Sequence, residues 1–302
     1  NTTLETIFSP IQDYLSGITS EGSAAINDQN LGWIGALASD GIERKNAYWI
    51  KVDVEDDEID FTLSVSGLPT SPNTIYNLHE FANLISYVGP DSMLVPDALP
   101  DEVEEYIEGI ITQGKATQID PNLGIWVGSL NRFHLGEGYW IKIKEDIDID
   151  MSWNPESSRS SKDKPNDKNL NDSENHFKFN QSMLQSFYFL DNIEVSTFIL
   201  DQNDIIVSYC NDIIVGSRQF NGIHTDVPAM GRDVNNPGYC DENSIPNFKI
   251  YDYETDRLID MFSIDIPVWT NLGINNISLI ELSSERAPYS NEIINVYPNL
   301  FN

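Results

Sequence analysis

The sequence predicts a mainly β protein with a few short helices, built as two tandem α+β modules followed by an all-β sandwich. Three observations predict it: an internal repeat, a polar stretch that follows the repeat, and many short runs of Ile, Val, Phe and Tyr between turn residues. The 302 residues suffice for two or three domains. The expected ranges are a first module at 1–67, a second module at 68–153, a flexible linker at 154–176, a β-sandwich at 177–285 and a tail at 286–302.

The repeat consists of blocks of glycines, tryptophans and a Tyr-Trp-Ile-Lys run that recur in the same order. The matching blocks are 14–18 with 106–110, 30–32 with 122–124, 33–37 with 126–130 and 47–51 with 138–142. Their offset is about 92 residues, which is too long for a solenoid repeat. The first half therefore holds two copies of one small domain.

Each module is expected to open with an amphipathic helix. Apolar residues spaced i, i+3, i+4 and i+7 predict it, at Ile11, Tyr14, Leu15 and Ile18 in the first module and at Val103, Tyr106, Ile107 and Ile110 in the second. Strands are predicted after it, at 32–37 and 47–54 in the first module.

A leading strand is predicted at 81–87, ahead of the second module, and the first module has no matching segment. Three explanations remain open. The sequence starts too late to include the strand, the module does not need it, or another molecule supplies it by strand addition at an open edge.

Tryptophans and tyrosines recur in both modules. In a strand, the Tyr-Trp pair directs its two rings to opposite faces. Core packing is the main expectation for Trp33, Trp126 and Trp140, and stacking on a glycan or peptide ligand is the alternative.

The third domain is expected to be a sandwich of short strands. The predicted strands are 185–190, 194–200, 205–209, 213–219, 248–253, 258–264 and 277–282, with a long loop at 221–246. Cys210 and Cys240 can form one disulfide in a secreted domain, the alternative being two unrelated buried thiols.

Acidic residues dominate the composition, with 48 Asp and Glu against 17 Lys and Arg and a net charge of −31. This charge argues against nucleic-acid partners and anionic membranes, and no apolar run is long enough to span a bilayer. It favours divalent cations, and a calcium site is expected at Asp201, Asn203, Asp204 and Asp212. Ordinary turn chemistry and a solvated acidic surface are the alternatives.

Motifs that carry catalysis are absent from the sequence. There is no His-x-x-x-His pair, no Cys-x-x-Cys, no Gly-x-Ser-x-Gly and no phosphate-binding glycine loop. Paired carboxylates are so frequent that no single pair indicates a glycosidase. A protein that is not an enzyme is therefore expected.

The modules resemble those of large bacterial surface proteins exported by the type IX secretion system. The resemblance lies in residues 83–86, 123–130 and 138–143 of the second module and 31–37 of the first. In the third domain it lies in 185–189, 204–206, 215–219, 227–231 and 246–252. Val296-Tyr297-Pro298-Asn299-Leu300-Phe301-Asn302 is similar to the opening of a C-terminal sorting domain. In the first module Ala47 replaces the motif's Gly, and Leu300 replaces a Pro. The resemblance implies export and display at the cell surface, and it implies no reaction.

These features predict an extracellular or surface-displayed structural or adhesive protein. It is expected to be a subunit that associates with itself or with other surface proteins through strand addition and calcium. A glycan- or peptide-binding module of a larger surface protein is the alternative.

Overall fold

A computed structural model describes residues 2–53, 62–155 and 177–281 of the chain. The chain divides into two compact units, Asn1–Pro165 and Asn166–Asn302. The predicted fold class, mainly β with a few short helices, is confirmed. Most of the expected linker and the whole of the expected tail lie outside the described residues.

The first module forms an antiparallel four-stranded sheet in the order β3-β2-β1-β4. Its elements are α1 (Leu4–Phe8), a 3-10 turn (Gln12–Tyr14), β1 (Leu15–Ser20), β2 (Ser23–Asp28), β3 (Gly32–Ile34), α2 (Ala36–Asp40) and β4 (Trp49–Val52). Helix α1 is capped by the Thr3 hydroxyl, which accepts from the Thr6 N–H.

The second module forms a five-stranded sheet in the order β10-β9-β8-β12-β6, with two small strand pairs beside it, β11-β7 and β13-β5. Its elements are β5 (Tyr76–Leu78), β6 (Phe81–Ser86), β7 (Met93–Leu94), α3 (Val95–Ala98), α4 (Asp101–Glu104), β8 (Ile107–Thr112), β9 (Lys115–Ile119), β10 (Trp126–Gly128), β11 (Arg132–Phe133), β12 (Gly138–Ile143) and β13 (Ile149–Met151). Four buried rings meet at its centre, those of Tyr87, Phe133, Tyr139 and Trp153.

The predicted opening helices are found only in part: a four-residue helix, α4, in the second module and a 3-10 turn in the first. Of the apolar residues at helical spacing, Ile107 and Ile110 belong to strand β8, and Leu15 and Ile18 belong to β1. Ile110 and Ile111 are adjacent and both fully buried, so β8 is covered on both faces. A strand buried on both faces does not show alternation, and its apolar residues fell by coincidence at helical spacing.

The strand predicted at 32–37 is also shorter than expected. Gly35 has a φ of 132°, which ends β3 at Ile34, and α2 begins at Ala36. An added Cβ at Gly35 would lie 2.4 Å from the Ala24 carbonyl oxygen, so only glycine fits where the chain turns against β2.

The carboxy-terminal unit is one seven-stranded sheet in the order β16-β15-β18-β19-β20-β14-β17. Its strands are β14 (Gln185–Glu194), β15 (Ile205–Cys210), β16 (Ile213–Gln219), β17 (Asp226–Met230), β18 (Asn247–Asp252), β19 (Arg257–Phe262) and β20 (Ile274–Glu281). The two ends of this order also meet: Gly216 of the end strand β16 packs on the Pro228 carbonyl of the other end strand, β17, and the Ser208 hydroxyl of β15, next to β16, donates to that same carbonyl. The sheet thus nearly closes on itself, with a sandwich-like core.

Two expectations for this unit are wrong. The predicted loop at 221–246 contains β17, in which all five residues are buried. This strand was not predicted because it contains Pro228, and proline is rare inside strands. Strand β17 lies at one end of the strand order, where the missing N–H of a proline is tolerated. The segment predicted as a strand at 194–200 follows β14, which ends at Glu194.

Cys210 and Cys240 form a disulfide, with their Cα atoms 5.2 Å apart. It ties the end of β15 to the segment after β17, where Gly231 and Cys240 make an isolated bridge. Both cysteines are buried in the main core of the unit.

We expect Gly216→Ala to destabilise the carboxy-terminal unit by more than about 2 kcal/mol, because its Cβ would be forced into the opposing strand. The ideal Cβ would lie 1.8 Å from the Pro228 carbonyl oxygen. Thermal unfolding followed by circular dichroism measures the loss. Gly67→Ala is the matched control, since its Cβ would meet no atom within 4 Å; equal unfolding temperatures for both variants would contradict the close contact.

Candidate functional site

The two module sheets pair their strands in the same register. Thr19 and Ile18 of β1 lie opposite Trp49 and Ile50 of β4, and Ile111 and Ile110 of β8 lie opposite Trp140 and Ile141 of β12. Both pairings contain an irregularity at the same position, next to Gly17 and Gly109 respectively. Strand β4 is therefore the structural counterpart of β12.

Local contacts correspond in the same way. The Asp28 carboxylate accepts from the N–H groups of the two residues that close its turn, Asn30 and Leu31, as the Asp120 carboxylate does in the second module. The hydroxyls of Tyr48 and Tyr139 each accept from the N–H five residues earlier in the chain.

The two counterpart strands differ at their outer edges. Strand β12 lies between β8 and β6, whereas β4 pairs only with β1, and among the described residues no strand lies on its other side. The Asp53 N–H donates to the Tyr14 carbonyl on the β1 side. Because successive residues of a strand point their polar groups in opposite directions, Ile50 and Val52 direct their N–H and C=O groups to the open side.

Burial differs at the same two positions. Ile50 and Val52 are 42% and 44% exposed, while their counterparts Ile141 and Ile143 are 0% exposed. The lone residue between each pair is a half-buried lysine in both modules. The exposed surface of β4, Ile50 and Val52 with their unpaired backbone groups, is hereafter called the open edge.

In the second module the corresponding surface is covered by β5 and β6. Tyr76, Leu78 and Ile85 belong to the same buried cluster as Ile141 and Ile143. On the backbone side, β6 pairs with all six residues of β12 from Gly138 to Ile143. The chain therefore contains one pair of strands, β5 and β6, that covers in the second module the surface corresponding to the open edge.

Strand β6 has a second neighbour, which joins the two modules. The Ala47 N–H donates to the Leu84 carbonyl, and the Ser86 N–H donates to the Lys45 carbonyl. The Ala47 carbonyl accepts from the Ser20 hydroxyl at the end of β1. These contacts lie on the β1 side of the segment that leads into β4, so the joint leaves the open edge clear.

An ion pair completes this joint. The Glu21 carboxylate, at the tip of the β1–β2 hairpin, contacts the His79 imidazole and accepts from the Leu84 N–H at 3.0 Å. The Glu80 carbonyl and then the Glu21 carboxylate raise the pKa of His79. Asp146 and Asp148 line the depression beside His79, but both imidazole nitrogens are already engaged in the joint.

The three tryptophans expected as core residues or ligand platforms are all half-buried. Trp33 packs on Phe8 with a ring separation of 5.9 Å. The Trp126 Nε1 donates to the Glu104 carboxylate at 3.2 Å. Trp140 projects from β12 on the face opposite Tyr139, which is fully buried. They belong to two different sheets, and each sits in a separate packing environment.

The expected calcium ligands are brought together only in part. Asp201, Asn203 and Asp204 share one turn, in which the Asp204 carboxylate accepts from the N–H groups of Asp201 and Tyr253. Asp212 lies beyond the other end of β15, whose six residues span about 20 Å. Burial, followed by the nearby carboxylates of Asp201 and Asp252, raises the pKa of Asp204. In residues 2–53, 62–155 and 177–281 no group of three or more His, Cys, Asp or Glu is placed to hold a metal ion.

The residues of the open edge were not singled out from the sequence. Ile50 and Val52 read as ordinary strand residues of the Tyr-Trp-Ile-Lys block, equal to Ile141 and Ile143. The sequence did contain one indication of the open edge. A leading strand is predicted at 81–87 for the second module and not within 1–67 for the first, and this strand is the one that pairs with β12.

Comparisons of this chain with protein-family models, with curated proteins and with solved structures find no match. Within the described part of the chain, none of the helices is long and apolar enough to cross a membrane.

Hydrogen exchange tests the open edge directly. We expect the amides of Ile50 and Val52 to exchange about a hundredfold faster or more than those of Ile141 and Ile143, because only the latter are paired with β6. The Trp49 and Lys51 amides, on the β1 side, are the control and should be protected. NMR-detected exchange at single-residue resolution measures this, and slow exchange at Ile50 would show that the edge is covered.

The module joint should weaken with rising pH. The pKa of His79 is raised first by the Glu80 carbonyl of its own module and then by the Glu21 carboxylate across the joint, so protonation stabilises the fold and its Glu21 part stabilises the joint. This contribution is complete below the ordinary value of 6.5 and is lost as pH rises through the raised pKa. Glu21→Gln should lower the His79 pKa, measured by NMR titration of the ring, and Glu5→Gln should leave it unchanged. An unchanged pKa in Glu21→Gln would contradict the pairing.

Proposed function

We propose that this chain is a structural or adhesive protein, secreted or displayed at the cell surface, that is held in a larger assembly by strand addition at the open edge. One observation carries the proposal: at matched register, Ile50 and Val52 are exposed where Ile141 and Ile143 are buried under another strand. Unpaired edge strands that carry apolar residues are templates for added strands.

Other features support the extracellular setting. The Cys210–Cys240 disulfide is the kind of bond that persists in oxidising compartments. The large negative charge suits a solvated surface protein. Export by the type IX secretion system remains part of the proposal and rests on the sequence resemblance. Calcium remains part of it as well, with the turn at Asp201 and Asp204 as its expected position.

Binding of glycans is the alternative function, with Trp33, Trp126 and Trp140 as platforms. The half-burial of all three rings gives it less support than the open edge gives to strand addition. Peptide binding, by contrast, is itself a form of strand addition, and the open edge would be its site.

The proposal is tested with the full chain, alone and with a ten-residue peptide of alternating Ile and Thr. We expect a complex in at least one of these settings, either self-association or peptide capture. Ile50→Lys should abolish it, because a charge on the edge blocks pairing. Analytical ultracentrifugation and negative-stain electron microscopy, each with and without calcium, detect the complex.

The matched control is Ile26→Lys, the same substitution at an exposed Ile of β2, which is separated from β4 by β1. It should form the complex as the unaltered chain does. Monomers and unbound peptide under every condition, or equal loss in both variants, would contradict strand addition at β4.

A further inference from the structure

We propose that the partner at the open edge is a two-segment arm of the β5–β6 type, supplied by a polypeptide segment outside residues 1–302, rather than a single extended strand. The proposal rests on strand addition as the function and specifies what is added. The term arm denotes residues 76–86, which comprise β5 and β6.

The pairing edge of the partner follows from the second module. On β12, Tyr139 lies opposite Ile85, Ile141 opposite Asn83, and Ile143 opposite Phe81. Because β4 repeats the register of β12 against the central strand of its sheet, the same pairing carries over to Tyr48, Ile50 and Val52. An arm of this type would therefore satisfy the outward backbone groups of β4.

A single strand would pair with β4 but would supply no counterpart of β5. Tyr76 and Leu78 of β5, each 2% exposed, belong to the same buried cluster as Ile141 and Ile143. Strand β5 pairs with β13 and not with the large sheet, so it contributes to this cluster through its side chains and does not extend the sheet. Ile50 and Val52 present an equivalent apolar face, and covering it requires an element like β5.

The arm is held in one shape by its own contacts. The Asn83 side chain accepts from the His79 N–H and donates to the His79 carbonyl, and the hydroxyls of Tyr76 and Ser86 lie 3.2 Å apart. Such an element loses less conformational entropy on docking than a flexible peptide. Glu80 is its only acidic residue, so it avoids repulsion from a chain of net charge −31.

A second copy of this chain is a poor donor. Its own arm is buried in its second module, with Leu78 and Leu84 at 2% and 3% exposure. Moving that arm to another copy would fill one edge and open another, with no net gain of pairing. Direct pairing of two β4 strands would join only Trp49–Val52 of each, far less than a standard interface, between two strongly acidic chains.

The test compares two synthetic peptides added to the full chain. One spans residues 75–88 and contains the arm, and the other spans 81–88 and contains β6 alone. We expect the arm peptide to bind at least tenfold more tightly, because only it covers the apolar face. Ile50→Lys should weaken arm binding at least tenfold, and Ile26→Lys should leave it within twofold. Fluorescence anisotropy measures all four affinities.

Register is tested by disulfide trapping. Val52→Cys in the chain should cross-link with the Phe81→Cys arm peptide, since the counterpart pair Ile143 and Phe81 lies directly opposite. The Ile85→Cys peptide is the mismatched control and should cross-link at least tenfold more slowly.

The outcomes separate the two proposals. Equal binding of both peptides at β4 would overturn the arm while strand addition stands, and so would fast trapping in the mismatched pair. A dimer of the chain alone that Ile50→Lys abolishes would overturn a segment outside residues 1–302 as the donor. Binding of neither peptide, together with the absence of any complex in the earlier test, would overturn both.

Discussion

Backbone hydrogen bonding along β12 is the constraint on which the amino-terminal unit depends. A buried strand must have partners on both edges, because an unpaired N–H or C=O group away from water costs more than a hydrogen bond returns. Strand β12 meets this condition with β8 on one side and β6 on the other. Its apolar residues, Tyr139, Ile141 and Ile143, can then be fully buried. Within residues 2–53, 62–155 and 177–281, strand β4 has a partner on one side only, and its apolar residues Ile50 and Val52 are exposed to water.

Strand β6 also links the modules, because it bonds to β12 along one edge and to the segment before β4 along the other. The Glu21–His79 pair reinforces this second contact from the hairpin tip. The two modules are therefore not independently packed domains. Disturbing the packing around β6 affects the core of the second module and the joint to the first together.

The sequence allowed prediction of the β class and of the strands at 81–87 and 213–219, because these depend on local residue types. It also allowed prediction of the Cys210–Cys240 pair, because a chain with two cysteines can form only one disulfide. It misled at β8 and β1, where strands buried on both faces carry apolar residues at helical spacing. Strand β17 was missed because it contains Pro228, which argues against a strand in the sequence. The exposure of Ile50 could not be predicted from its own surroundings, since it depends on which strand lies beside β4.

The contact between the modules explains one difference between the two copies, the glycine at 138 against the alanine at 47. The sequence block that opens β12 begins with Gly138, and the matching block in the first module begins with Ala47. A Cβ at Gly138 would lie 2.4 Å from the Cβ of Ala47, so the two positions face each other across the joint and cannot both carry a side chain. Glycine at position 138 is thus required by the packing of the first module against the second. The residue type at this position therefore reports on contact between modules, and not on the fold of a single module.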